Sequence, residues 1–194
     1  MSNSPVTVRP VEPADWPAIE KLFGEKGACG GCWCMSWRVP KLGKLWEQVK
    51  GEPNRASLRQ LVASGEQHAV LAWAGGEPVG WCSFGPRGDF PRLETVKAFR
   101  HYWSPRTWSI ACFYIHPRWR RRGVAGRLLE AATARAFELG AREVEGYPLE
   151  WRKGPAPAAF AYTGVPRLFE AAGYEAMARS GTGNRPVYVR RQRE

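Results

Sequence analysis

The chain has 194 residues, of which 44% are hydrophobic and 24% charged, proportions that exclude a disordered chain, a coiled coil or collagen and suit one globular domain. Lys and Arg number 29 against 18 Asp and Glu, so the net charge of +11 favours an acidic or phosphorylated partner. No apolar run approaches the roughly 20 residues of a membrane helix, and the first ten residues do not resemble a signal peptide. Five cysteines, an odd number, argue against a disulfide framework, and a cytoplasmic protein without membrane association is expected.

Val6 to Pro10 alternates as a strand, and Ile19, Leu22 and Phe23 follow at helical spacing after Pro13 and Pro17. From Gly24 to Gly43 the chain is rich in Gly, Cys and Trp without a period; Lys44–Val49 and Arg55–Val62 then recover helical spacing. His68–Ala74 and Pro78–Phe84 read as strands joined at Gly75-Gly76, a pair suited to a tight hairpin with positive φ. A polar connection through Arg87, Asp89 and Glu94 leads to Trp108–Ile115, a β-rich run that stops at His116-Pro117. Gly123–Leu139 is the clearest helix, with Val124, Leu128, Ala132 and Ala136 in one line and Gly140 at its stop. Glu143–Tyr147 is the next strand, and Gly154–Pro157 interrupts the pattern. Val165–Ala172 forms a helix closed by Gly173, and Tyr174–Ala178 and Pro186–Arg190 end the chain as strands. This order predicts one α/β (α+β) domain over residues 1–194 with a mixed sheet, its loops at 27–45 and 148–160 being the natural functional segments.

The segment Ile115-His-Pro-Arg-Trp-Arg-Arg-Arg-Gly-Val-Ala-Gly-Arg-Leu-Leu129 is a strand end, a basic glycine-containing turn and a helix start. Backbone N–H groups in a first helical turn lack internal partners, and the macrodipole adds positive charge there, so the turn suits a phosphate. Arg120, Arg121, Arg122 and Arg127 have the wrong sign for a helix N-terminus unless an anion normally occupies it; a solvated basic run is the alternative. Arg120-Arg-Arg-Gly123-Val-Ala125 matches the Arg/Gln-x-x-Gly-x-Gly/Ala signature of the GNAT N-acetyltransferase superfamily, and Arg167-Leu-Phe-Glu-Ala-Ala-Gly-Tyr174 resembles its second conserved helix and following strand.

The resemblance implies a single GNAT-like domain: a mixed, mostly antiparallel twisted sheet of about seven strands with helices on both faces. Two central parallel strands, here Trp108–Ile115 and Glu143–Tyr147, would splay apart around acetyl-CoA, with no metal required. Phe113, Tyr114 and Ile115 would hold the pantetheine arm and acetyl carbonyl, and Arg120, Arg121, Arg122, Gly123, Val124, Ala125 and Gly126 the diphosphate. The implied activity is acetyl transfer to a primary amine of a small molecule or peptide.

Many members carry a general-base glutamate on the first splayed strand and a tyrosine in the second helix that protonates the CoA thiolate. This chain has Ala111-Cys112-Phe113-Tyr114 and Phe169 at those places. Three replacements present themselves. Tyr162 is a proton donor or a packing residue, Glu145 a base or a solvated side chain, and Cys112 a nucleophile or inert core. The resemblance places the acceptor pocket between Gly27–Lys50 and Ser180–Arg185, where Trp33, Trp37 and Arg38 suit a flat or carboxylate-bearing acceptor. Asp89, Glu94 and Arg87 line its other side or are solvated loop charge. Cys29, Cys32 and Cys34 lack a fourth zinc ligand nearby in sequence, so no metal is expected. Two other readings stay open: an acyl-CoA-binding sensor or scaffold without efficient transfer, and a nucleic-acid binder using Arg118–Arg127 with Arg190-Arg-Gln-Arg193. Nucleic acid is the less favoured partner, and a homodimer is left open.

Overall fold

The computed structural model describes residues 4–40, 43–101, 103–151, 160–177 and 184–192. In chain order the elements are β1 (Val6–Pro10), α1 (Trp16–Phe23), α2 (Lys44–Val49), α3 (Glu52–Ala63), β2 (Ala69–Ala74), β3 (Glu77–Pro86), α4 (Arg92–Thr95), β4 (Thr107–Ile115), α5 (Val124–Glu138), β5 (Glu143–Gly146), α6 (Pro166–Ala171), β6 (Glu175–Ala176) and β7 (Tyr188–Arg191). They build one sheet in the order β1-β2-β3-β4-β5-β7-β6. Its pairs are antiparallel except β4 with β5, as the sequence led us to expect.

The alternation of each strand divides the interior into two layers. Val70, Ala72, Cys82, Phe84, Trp108, Ile110 and Phe113 pack against Val124, Leu128, Ala132 and Ala136 of α5 and Phe169 of α6. Leu71, Trp81 and Cys112 face the other way, onto Trp16, Ile19, Leu22 and Phe23 of α1 and Leu58 and Val62 of α3. Tyr147, Val187 and Val189 extend that second face beneath Trp37, Phe90, Leu93 and Phe99. The predicted elements thus sit where their apolar periodicity places them, with some shifts of extent. The connection 87–99 is not a plain polar loop: two 3-10 turns flank α4, because Phe90, Leu93 and Phe99 bury themselves against the sheet. β3 runs on to Pro86, and α3 starts at Glu52, since Pro53 is tolerated in a first turn. The strand expected over Tyr174–Ala178 is limited to Glu175–Ala176; Ala178 and the break at Gly154–Pro157 lie outside the described residues.

One residue of β4 decides the architecture. On its β3 side, Ser83 pairs with Cys112 but Phe84 with Ile110, leaving Ala111 as an extra residue. On its β5 side, the parallel ladder runs from Thr107–Glu143 to Ile110–Gly146 and ends there. Such a bulge bends and twists a strand, and here it turns β4 out of register with β5 where the ladder ends. Beyond Ile110, the edge of β4 that faced β5 therefore carries backbone groups with no strand partner among the described residues.

The ring of Phe169 seals the end of that ladder. A Cβ built on Gly146 would lie 2.0 Å from this ring, so only glycine lets it reach the strand. Gly146→Ala should therefore cost about 1–3 kcal/mol by overpacking, read as a lower urea midpoint. Adding Phe169→Leu should recover part of that loss; a Gly146→Ala variant as stable as the parent would show that the ring moves aside freely.

Candidate functional site

Beyond the open edge of β4, the chain makes a 3-10 turn over Pro117–Trp119 and then reverses into α5. Arg121 (φ 59°) and Gly123 (φ 75°, ψ 0°) both adopt the left-handed conformation. Left-handed residues in a turn aim successive N–H groups into a common concavity, which suits an anion. The bond from Arg127 N to Gly123 O (3.3 Å) is the first of the helix, so the amides of Val124, Ala125 and Gly126 have no acceptor within it. No acidic residue occupies this first turn.

The four arginines part company here. Arg121 and Arg122 stand exposed, Arg122 over the ring of Trp119 at 5.2 Å. Arg120 folds back, its Nε donating to Ile115 O at 3.1 Å, and Arg127 donates to Val6 O at 3.1 Å on β1. Two side chains thus brace the turn's ends while two extend from its rim.

On the α1 face, β4 and β5 carry a buried polar network. The Arg87 guanidinium, fully buried, donates to Glu145 Oε2 (2.9 Å), Tyr147 Oη (2.8 Å), Phe99 O (2.8 Å) and Glu94 Oε1 (3.1 Å). Tyr147 Oη also donates to Glu145 Oε2 (2.8 Å) and lies 2.8 Å from Ser109 Oγ. His101 Nε2 lies 2.7 Å from Glu145 Oε1, and this contact raises the imidazole pKa above its ordinary value against the opposing effect of burial. A buried carboxylate persists only when its oxygens are satisfied, and both oxygens of Glu145 are.

Beside this network, a column of rings faces the bulge. Trp37 packs against Tyr147 and Tyr162 with centroids 6.3 Å from each, and Tyr162 lies in the 3-10 turn Ala161–Thr163. Burial pushes the Tyr162 phenol above its ordinary pKa, while Arg185 and Arg92 pull it back.

Comparison with known proteins bears on this geometry. The model of the Acetyltransferase (GNAT) family matches residues 34–147, more than half of the chain. The chain belongs to the GNAT acetyltransferase family. Among curated proteins no sequence relative was found. The fold is similar to that of an N-acetyltransferase from Staphylococcus aureus Mu50, with 14% identity, a TM-score of 0.57, and 97% of this chain and 99% of that one covered. A phosphinothricin acetyltransferase from Sinorhizobium meliloti, in complex with acetyl-CoA, gives 19% identity and a TM-score of 0.55 over 96% and 88% of the two chains. Diaminobutyrate acetyltransferase from Paenibacillus lautus, in complex with L-2,4-diaminobutyric acid and coenzyme A, gives 16% and 0.54 over 96% and 95%. At these identities the likeness is one of fold.

Within this GNAT fold, the residues singled out from sequence separate into distinct places. Phe113, Tyr114 and Ile115 lie on β4 beyond its ladder with β5, and Gly123 to Gly126 form the start of α5. Cys112 is buried, and its sulfur accepts a weak hydrogen bond from the Cys34 thiol at 3.6 Å. Glu145 is neither solvated nor free, because β5 turns it inward onto Arg87. Trp33 does not line the column: it stacks on Trp16 at 6.2 Å within the α1 layer. Arg38 is drawn off to Asp89 (3.5 Å) and the Phe90 ring (5.0 Å). Asp89 and Glu94 are thus paired with Arg38 and Arg87, while both keep part of their side chains in solvent. Of the expected loop Ser180–Arg185, only Asn184 and Arg185 are described, and Arg193 also lies outside the described residues. Among the described residues no group of His, Cys, Asp and Glu is placed to hold a metal, and no helix is long and apolar enough to cross a membrane.

Sequence reading missed Arg87, His101, Ser109 and Tyr147 as a unit. The one available signal was an arginine directly after a long apolar strand. The network makes stability depend on pH. Because contact with Glu145 raises the folded-state pKa of His101, its contribution is complete below about pH 6.5 and lost as pH rises through the raised value. Urea midpoints should fall with rising pH in the parent and fall less in His101→Gln. The difference between the two isolates His101 from His68, whose pKa burial lowers. Arg87→Ala should cost about 3–5 kcal/mol, since it leaves Glu145 buried without its cation; a loss under 1 kcal/mol would mean the carboxylate rehydrates.

Proposed function

We propose that the protein transfers the acetyl group of acetyl-CoA to a primary amine. One observation carries this reading: the partnerless edge of β4 beyond Ile110 leads directly into a left-handed basic turn that caps α5. A long ligand with a hydrogen-bonding arm and a diphosphate at its far end fits that sequence of donors.

Bound acetyl-CoA supplies an activated acetyl group as a thioester. In this reading the open backbone of Phe113, Tyr114 and Ile115 hydrogen-bonds the pantetheine arm, and an amide there binds the acetyl oxygen, where negative charge grows during transfer. The amides of Gly123, Val124, Ala125 and Gly126, with Arg121 and Arg122 at the rim, bind the diphosphate; Arg120 and Arg127 hold the turn's shape. The acceptor nitrogen bonds to the acetyl carbon as the carbon–sulfur bond breaks; Tyr162, kept protonated by burial, donates its proton to the departing sulfur and is reprotonated, through solvent, by the proton that the acylated nitrogen releases. β4 carries no carboxylate and Glu145 is engaged, so the amine reacts as the neutral fraction present in solution. Cys112 contributes packing against Cys34 rather than a covalent step.

Acetyl-CoA at about 100 times its dissociation constant should stabilise the protein by about 2.7 kcal/mol, roughly 5–11 °C in Tm, with no such shift from adenosine. Gly123→Glu should abolish that shift by placing bulk, strain and negative charge at the turn, and an unchanged shift would remove the turn from the site.

Tyr162→Phe should slow amine-dependent CoA release by about 10- to 100-fold while leaving the acetyl-CoA shift intact. In the parent, rates should climb with pH toward the pKa of the amine itself and decline only above about pH 10, where the raised phenol ionises. Binding of acetyl-CoA without sustained CoA release from any amine would favour the sensor reading instead.

A further inference from the structure

The ring column facing the bulge is bracketed by two guanidinium groups. Arg92 lies over Trp37 at 4.7 Å and Arg185 over Tyr162 at 5.1 Å, while Trp37 and Tyr162 lie 6.3 Å apart. Both arginines are half-buried. Arg92 spends one donor on Ser36 O (3.0 Å), leaving most of its fork unused. Arg185 donates to Phe160 O (2.7 Å), Tyr147 O (3.4 Å) and the Thr163 hydroxyl, all neutral. Neither forms an ion pair among the described residues, whereas the nearby carboxylates Asp89, Glu94 and Glu145 are taken by Arg38, Arg87 and His101.

A second observation points the same way. Trp37 is 3% exposed, and its indole Nε1 is buried without a hydrogen-bond acceptor. Two cations therefore bracket one pair of rings, one of which carries the unpartnered indole N–H, and among the described residues neither cation meets an anionic acceptor. The electrostatics agree: burial lowers the pKa of Arg185, Tyr162 opposes that, and the like charge of Arg92 adds to the lowering. Guanidinium forks match the planar oxygens of a carboxylate and stack on aromatic faces at the same time.

We propose that the acceptor is a small amine bearing a carboxylate, and that Arg92 and Arg185 hold this carboxylate beside Trp37 and Tyr162, with the amine directed toward β4. This rests on the acetyl-transfer reading above and assigns the specificity that reading leaves open. It also replaces Arg38, which its sequence position suggested, by two arginines on different segments.

The test measures CoA release from acetyl-CoA with the common L-amino acids, each paired with its carboxamide. The parent protein should prefer the carboxylate member of at least one pair by about tenfold or more in kcat/KM. Arg92→Gln should lower that ratio about tenfold, mainly through KM, and Arg92→Lys should restore part of it. Arg92 has the lighter structural duty, so it remains testable if Arg185→Gln fails to fold. An equal preference for carboxamides, or a ratio unmoved in Arg92→Gln, would overturn the proposal. Should no pair release CoA, these compounds are not acetylated, and calorimetric titration of them in the presence of CoA decides the anion site separately from the transfer reading. Carboxylate-selective binding lost in Arg92→Gln would uphold it; no binding would overturn it.

Discussion

The parallel ladder between β4 and β5 spans only Thr107–Ile110 and Glu143–Gly146, and the rest of the molecule is arranged around its end. Ala111, inserted on the β3 side, changes the register of β4 where the β5 ladder stops. Phe169 packs against Gly146 from the α5 face, so the strands can neither zip further nor close up. A sheet normally hides its backbone polar groups in ladders; here a stretch of an interior strand keeps some without a strand partner. The end of the ladder is therefore a product of packing on one face of the sheet and a bulge on the β3 edge of β4.

Charge follows the same division. At the far end of β4, the exposed Arg121 and Arg122 flank a helix start whose first amides have no acceptor within the helix, a local concentration of positive potential that does not require a basic face. Beneath the α1 face, by contrast, positive charge is buried and answered: Arg87 is met by Glu145, Glu94, Tyr147 and a carbonyl. The difference between a binding arginine and a structural one lies in whether the chain itself provides the counterion. By that criterion Arg92 and Arg185, which form no ion pair among the described residues, differ from Arg87.

The segment around the cysteines shows how an aperiodic stretch can still be tightly built. Ala28, Trp33 and Cys34 have positive φ, a cost borne because the loop is held from several sides. Gly31 O accepts from Gly51 N, and Asn54 Nδ2 donates to Cys32 O at 3.3 Å. Trp33 inserts into the α1 layer, while Trp37 reaches the ring column on the other side of the same segment. This loop thus sends one tryptophan into each of two apolar clusters.

Much of this was legible in the sequence. Apolar periodicity gave the strands and helices because it records which face of each element is buried, and Arg120-Arg-Arg-Gly123-Val-Ala125 marked the turn because its backbone needs glycine at one left-handed position. What the sequence could not convey was pairing between distant charges. Arg87 and Glu145 stand 58 residues apart and look like ordinary loop and strand-surface charges until β3 and β5 bring them together. The same holds for Arg38, taken by Asp89, and for Arg92 and Arg185, which converge only because their segments flank one pair of rings. Local patterns determined the elements and the basic glycine-containing turn; tertiary structure alone decided which charges are paired within the fold, because that depends on distances between residues far apart in the chain.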